Sequence, residues 1–186
     1  MKKITLVIAA MLAFVLTACS QNNKKEGEMK TKTLVAYFSC TGTTRAVAEQ
    51  LAKVADADLY EITPETPYSA EDLDWTNKQS RSTKESDDPK SRPAIKKTLK
   101  DVGQYDVVYL GFPIWWYRQP NIINTFLDTY DLSGKEVHLF ATSGGSTPDK
   151  AKDLLGKDYP KVKFVDAKLL NSATADELKS WVESHK

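Results

Sequence analysis

Two cysteines, two histidines and eight glycines are all that the 186 residues contain of these types, and each shortage excludes something. Cys19 and Cys40 cannot build a disulfide framework. Neither His138 nor His185 has an acidic or cysteine cluster beside it in the sequence, so nothing points to a metal site. Charge of one sign is also lacking, with 26 basic residues against 25 acidic ones. That balance offers no footing for nucleic acid as a partner. The three spaced glycines of a dinucleotide fingerprint and the Gly-Lys-Ser/Thr ending of a triphosphate loop are both missing, which makes NAD and ATP poor candidates. What remains is a chain long enough for one domain, with no internal repeat and enough apolar and aromatic residues for a core.

The N-terminus reads as a leader. Lys2 and Lys3 precede an apolar run, Ile4 to Leu16, too short to span a membrane stably, and Leu16-Thr17-Ala18-Cys19 follows. That ending resembles the lipobox of bacterial lipoproteins, which implies a signal peptide over 1–18 and a lipid-modified Cys19; a plain secretory signal with an incidental cysteine is the alternative. Ser20 to Lys32 are polar and read as a tether, so the segment 19–32 links an anchor to a folded domain over 33–186. The implied location is the cell envelope, lipid-anchored, on the outer membrane or periplasmic face if the cell is Gram-negative. Loss of Lys2 and Lys3 with the leader leaves 24 basic against 25 acidic residues, a mature charge of −1.

Five strand-like runs alternate with helix-like segments: Thr33 to Phe38, Ala57 to Ile62, Asp106 to Phe112, Glu136 to Thr142 and Val162 to Leu169. Such alternation predicts an α/β three-layer sandwich, a parallel sheet with helices on both faces. The first, third and fourth runs are apolar almost throughout, as central strands are. The second and fifth interleave polar residues, as edges do. A sheet order of 2-1-3-4-5 satisfies both conditions. Helical spacing joins Val47, Leu51 and Val54, then Ile95, Leu99 and Val102, then Ile123, Phe126, Leu127 and Tyr130; Leu154 and Leu155 mark a fourth helix, and Leu178, Trp181 and Val182 a last one. Pro93 and Pro120 suit first helical turns, and Gly103, Gly134 and Gly156 suit stops or turns. Residues 63–92 form a long polar insertion ahead of the second helix, of the kind that is functional or disordered.

Three loops leave the three central strands, where an open α/β sheet binds ligands. Ser39, Cys40, Thr41, Gly42, Thr43 and Thr44 stand between a strand and a helix and read as a phosphate cradle, with backbone N–H groups at a helix start and hydroxyls that add donors without charge. An ordinary helix cap would use the same residues. Pro113, Ile114, Trp115, Trp116 and Tyr117 place three consecutive aromatics in a loop, suited to a flat ring system or to packing under neighbouring helices. Thr142, Ser143, Gly144, Gly145 and Ser146 allow close backbone approach; the alternative is a flexible connection capped by Ser146 or Thr147.

From Thr33 onward the chain resembles the flavodoxin-like proteins, through the Ser/Thr-x-Thr-Gly-x-Thr loop and through Gly-x-Pro-Ile-Trp-Trp after the third strand. The resemblance implies FMN as cofactor. Ser39, Thr41, Gly42, Thr43 and Thr44 would then bind its phosphate with the backbone of Cys40, Pro113 to Tyr117 would bracket the isoalloxazine, and Thr142 to Ser146 would meet the pyrimidine edge. The implied function is electron transfer without catalytic side chains, the partner being a redox protein or a small-molecule acceptor. An FMN-dependent reductase of NAD(P)H:quinone type and a non-redox binding lipoprotein are the alternatives. Two features depart from the family: the chain is not acidic, and residues 114–117 contain no glycine. Cys40 at a helix start is either a redox thiol or a spacer, and the insertion, with Tyr68, Trp75, Arg81 and Arg92, is either a partial lid or a solvated excursion.

Overall fold

In a computed structural model of the chain, residues 31–185 are described. The expected signal peptide, Cys19 and nearly all of the tether lie outside them. The elements run β1 (Thr33–Tyr37), α1 (Thr43–Ala55), β2 (Asp58–Glu61), α2 (Arg81–Asp87), β3 (Val107–Pro113), α3 (Asn121–Thr129), β4 (Glu136–Thr142), α4 (Asp149–Asp158), β5 (Lys163–Leu169) and α5 (Ala175–Glu183). All strand pairs are parallel, in the order β2-β1-β3-β4-β5. The expected sheet and order are therefore present.

Strand alternation builds the layers. Leu34, Ala36 and Phe38 point into a core shared with Ile122, Ile123 and Phe126 of α3 and Leu155 of α4. Val35 and Tyr37 point the other way, into a core shared with Val47 and Leu51 of α1 and Leu178 and Trp181 of α5. Burial on both faces explains why β1, β3 and β4 are apolar almost throughout. The edges β2 and β5 keep Asp58, Leu59 and Lys163 exposed, and charges there discourage pairing with another chain. A Thr174–Glu177 capping box starts α5.

Around the insertion the fold departs from expectation. Residues 95–102 form no helix; Ile95 pairs in an isolated antiparallel bridge with Pro64, and the Lys96 N–H donates to the Thr63 carbonyl at 2.8 Å. Apolar residues at i, i+4 and i+7 pack equally well from an extended segment lying on the core, and here Ile95 is buried while Leu99 and Val102 lie against it. The second helix instead sits inside the insertion, as α2. Its residues carry no apolar period; Ser80 caps it by accepting the Thr83 N–H. Pro93 accordingly starts no helix, Pro120 is the N-cap of α3 and not its first turn, and Gly156 lies within α4. The insertion is tied down along its length. Asn121 donates to the carbonyls of Glu85 and Asp88 at 2.5 and 2.8 Å, and Arg92 pairs with Asp128 at 2.6 Å. Asn121→Ala should cost about 1–2 kcal/mol, with faster amide hydrogen exchange concentrated in α2.

Beneath α5 lies a polar network that the sequence concealed. A bulge in the β4–β5 ladder pairs Val137 with Phe164 but His138 with Asp166, which brings the carboxylate beside a buried histidine. Asp166 accepts from His138 Nδ1 (2.7 Å), Trp181 Nε1 (2.7 Å) and His185 Nε2 (3.1 Å), while the Tyr109 hydroxyl, at 3.3 Å, donates to His185 Nδ1. The two imidazoles stack with centroids 3.8 Å apart. The sequence places no acidic cluster beside either histidine; the carboxylate comes from the edge strand β5, which the sheet brings alongside.

Candidate functional site

At the carboxyl ends of β1, β3 and β4 the three unusual loops enclose a cleft of about 440 Å³. Its walls are Ser39, Cys40, Thr41, Thr43 and Thr44 from the first loop, Pro113, Ile114 and Trp115 from the second, and Thr142, Ser143 and Gly144 from the third. Leu73 and Asn171 complete it. This volume lies in the range of cofactor pockets.

The first loop is a turn fixed by a left-handed glycine. Gly42 has φ +91 with nothing near the position of a Cβ, so glycine is required here for its backbone angle and not for space. Its N–H donates to Ser39 Oγ at 3.1 Å, which closes the turn. α1 then starts at Thr43, so the N–H groups of its first turn lack intrahelical acceptors and face the cleft end of the helix. The hydroxyls of Thr41 and Thr43 lie 3.5 Å apart. Thr44 is used differently: buried, it bonds Thr142 Oγ1 at 2.8 Å and fastens the first loop to the third.

Below them Cys40 packs against the core, and burial pushes its thiol up to about 12 against the opposing field of Arg81. A protonated, half-buried thiol is a poor nucleophile. The spacer role fits it better than the redox one.

The second loop divides its aromatics. Trp115 forms the apolar wall, set edge-on to Phe38 (5.7 Å) and Tyr68 (5.5 Å), and these two meet edge-on at 5.8 Å. Tyr68 belongs to the insertion; its hydroxyl donates to Glu85 at 2.5 Å and the Arg81 guanidinium lies 3.9 Å above its ring. The insertion is therefore part of the wall that orients Trp115. Trp116 and Tyr117 do not line the cleft. They are the centre of a tight turn in which Trp115 and Arg118 exchange N–H to carbonyl bonds of 3.0 Å, and both have positive φ, 45 and 65. This is the backbone that Asn-Gly usually supplies, and each non-glycine residue there costs about 1–2 kcal/mol. Tyr117 is 67% exposed.

In the third loop, Ser143 Oγ accepts the N–H groups of Gly145 (3.2 Å) and Ser146 (2.9 Å). Gly145 and Ser146 lie outside the lining, as does Gly42, and α4 starts after Pro148 with no side-chain cap from Ser146 or Thr147. The two lining residues that sequence reasoning missed, Leu73 and Asn171, come from the insertion and from the end of β5, and no local motif marks them. Cys40 apart, every lining side chain is neutral and does not titrate near pH 7. The first loop offers hydroxyls and helix N–H groups; the second loop and the insertion offer Leu73, Pro113, Ile114 and Trp115.

The model of the flavodoxin family matches residues 32–185. Among solved structures, a candidate flavoprotein from Bacteroides eggerthii is 48% identical, with 83% of this chain and 97% of that one covered and a TM-score of 0.81. Another from Bacteroides uniformis is 47% identical over 82% and 98%, with a TM-score of 0.80. A flavoprotein from Lactobacillus acidophilus, solved in complex with FMN, is 24% identical over 80% and 98%, with a TM-score of 0.64, a likeness of fold. No curated protein matches the chain.

Proposed function

We infer, from the premise that this chain belongs to the flavodoxin family, that the cleft holds FMN and that the protein carries electrons from a membrane tether attached at Cys19. The observation that carries this reading is the split character of the cleft. A phosphate monoester needs N–H and O–H donors at a helix start, and Thr41, Thr43 and the first turn of α1 supply them. A flat ring system needs an apolar wall and close backbone approach; Trp115, Ile114 and Pro113 form the one, and Ser143 and Gly144 allow the other. The donor set therefore fits the cofactor at both ends.

Bound FMN supplies reversible one- and two-electron chemistry. Thr41, Thr43 and the first turn of α1 would hold the phosphate, and Pro113, Ile114 and Trp115 would line the ring system. None of them offers a general acid or base, since the Cys40 thiol stays protonated and the other lining groups do not titrate near neutrality. This absence among the lining residues supports a carrier over a reductase that needs protein-borne proton transfer. The low net charge leaves its partner to be recognised by shape and by apolar contact more than by long-range steering.

A visible spectrum of the purified domain, with and without added FMN, tests the cofactor. Replacing Thr41 and Thr43 together by valine should weaken FMN binding at least tenfold and leave riboflavin binding unchanged, as read by quenching of flavin fluorescence. Equal losses for the two ligands would remove the phosphate assignment. Thr44 is the wrong choice for this test, because its hydroxyl fastens Thr142.

A further inference from the structure

Asn171 follows β5 and sits beside the third loop, and a census of donors there gives it a specific task. The β4–β5 ladder ends where Leu170 N–H donates to the Ala141 carbonyl at 2.8 Å. One residue on, the Asn171 side chain continues the ladder: Ser143 N–H donates to its Oδ1 at 2.8 Å, and its Nδ2 donates to the Ser143 carbonyl at 2.7 Å. A single amide thus imitates a strand partner and holds the Ser143 peptide in one orientation. The loop's other donors are largely spent, the Gly145 and Ser146 N–H groups being taken by Ser143 Oγ. A primary amide has two N–H bonds. Asn171 uses one for the Ser143 carbonyl; the other makes no hydrogen bond among the described residues, and the exposed side chain borders both this cleft and a smaller groove at the start of α5.

We propose that Asn171 is the side chain that recognises the carbonyl-bearing pyrimidine edge of the flavin, using its second amide N–H while the first fixes the Ser143 loop. This rests on the FMN reading above. The role is one of binding and positioning. It differs in kind from that of the first loop, since Asn171 senses the ring and not the phosphate, and it leaves the neutral cleft without a charge near the ring. An aspartate at this place would keep the acceptor for Ser143 N–H, lose both donors and add a negative charge that disfavours the electron-rich reduced ring.

The test uses the full domain and two variants, Asn171→Ala and Asn171→Asp, with FMN and riboflavin as separate probes. Both variants should lose about tenfold or more in affinity for FMN and riboflavin alike, because the lost contact is to the ring that both ligands share. In the neutral variant Asn171→Ala the midpoint potential of the bound flavin should also move to more negative values, because a lost donor to a ring carbonyl removes stabilisation of the electron-rich reduced ring, a readout that a merely structural role would not move. Thermal unfolding of the unliganded variants identifies any that fail to fold, and Asn171→Asp, nearly isosteric, keeps the question answerable if Asn171→Ala does. Native-like affinity for both ligands in a folded variant, or a loss confined to FMN, overturns the assignment. Failure of the unsubstituted domain to bind either flavin overturns the FMN reading instead, so the two failures are distinct.

Discussion

Gly111→Ala should destabilise the domain by about 3 kcal/mol or more. Gly111 lies in β3, between Tyr37 of β1 and Phe140 of β4. A Cβ built there falls within the ring of Phe140, which is fully buried and has nowhere to retreat in a close-packed core. Sequence alone reads Gly111 as the opening of the aromatic loop; the structure gives it a second purpose, to let the Phe140 ring lie across its own strand neighbour. Urea unfolding of Gly111→Ala and of the double variant Gly111→Ala, Phe140→Leu tests this. The second substitution should recover part of the loss, and strict additivity of the two costs would show that the ring is not the obstacle.

Loss of Asp166 should be comparably severe. Asp166→Ala removes the common acceptor of His138, Trp181 and His185 and strands three donors beneath α5, at a cost of about 2–3 kcal/mol. The same network makes the native protein acid-sensitive. Burial alone would raise the Asp166 carboxyl, but the hydrogen bonds from His138 and Trp181 and the fields of the two imidazoles bring it down to about 2. Its unfolded value is higher, so its stabilising effect is complete above pH ~4 and is lost as pH falls toward 2. With its side chain 34% exposed, screening limits this contribution to about 1–2 kcal/mol. His185 moves below its usual value through burial and the neighbouring His138, against the pull of Asp166. A depressed imidazole binds fewer protons folded than unfolded, so stability is present above about pH 6.5 and falls as the solution is acidified below it. Both groups act in the same direction. The urea midpoint should decline from pH 7.5 through the His185 range and again below pH ~4 as Asp166 is protonated, and His185→Asn should flatten the upper part of that profile; an unchanged slope would separate the network from the acid response.

Much of the architecture was legible because burial writes itself into strand composition. Leu34 to Phe38, Val107 to Phe112 and, His138 apart, Val137 to Ala141 are apolar almost throughout, as doubly covered strands are, and the polar punctuation of Glu61, Lys161 and Lys163 marked the edges. The first loop was legible because a helix start beside a left-handed glycine is a local event. The failures were not local. Helix α2 is held by a serine cap and by Asn121 from 33 or more residues away, so its own sequence carries no period. The apolar spacing of Ile95, Leu99 and Val102 was real, yet Pro64 offered the segment a bridge and it stayed extended. Leu73, Asn171 and the Asp166 network each depend on neighbours assembled by the sheet, and no motif announces them.

The cradle at the start of α1 is built without a single charged side chain. A phosphate monoester carries about −1.5 to −2 at pH 7, and no lysine or arginine in the lining cancels it. The domain over 33–186 already carries 20 basic against 23 acidic residues, a net charge of −3. A phosphate held there would add to that negative charge and concentrate it at the start of α1, where helix N–H groups and hydroxyls, and no side-chain cation of the lining, would face it.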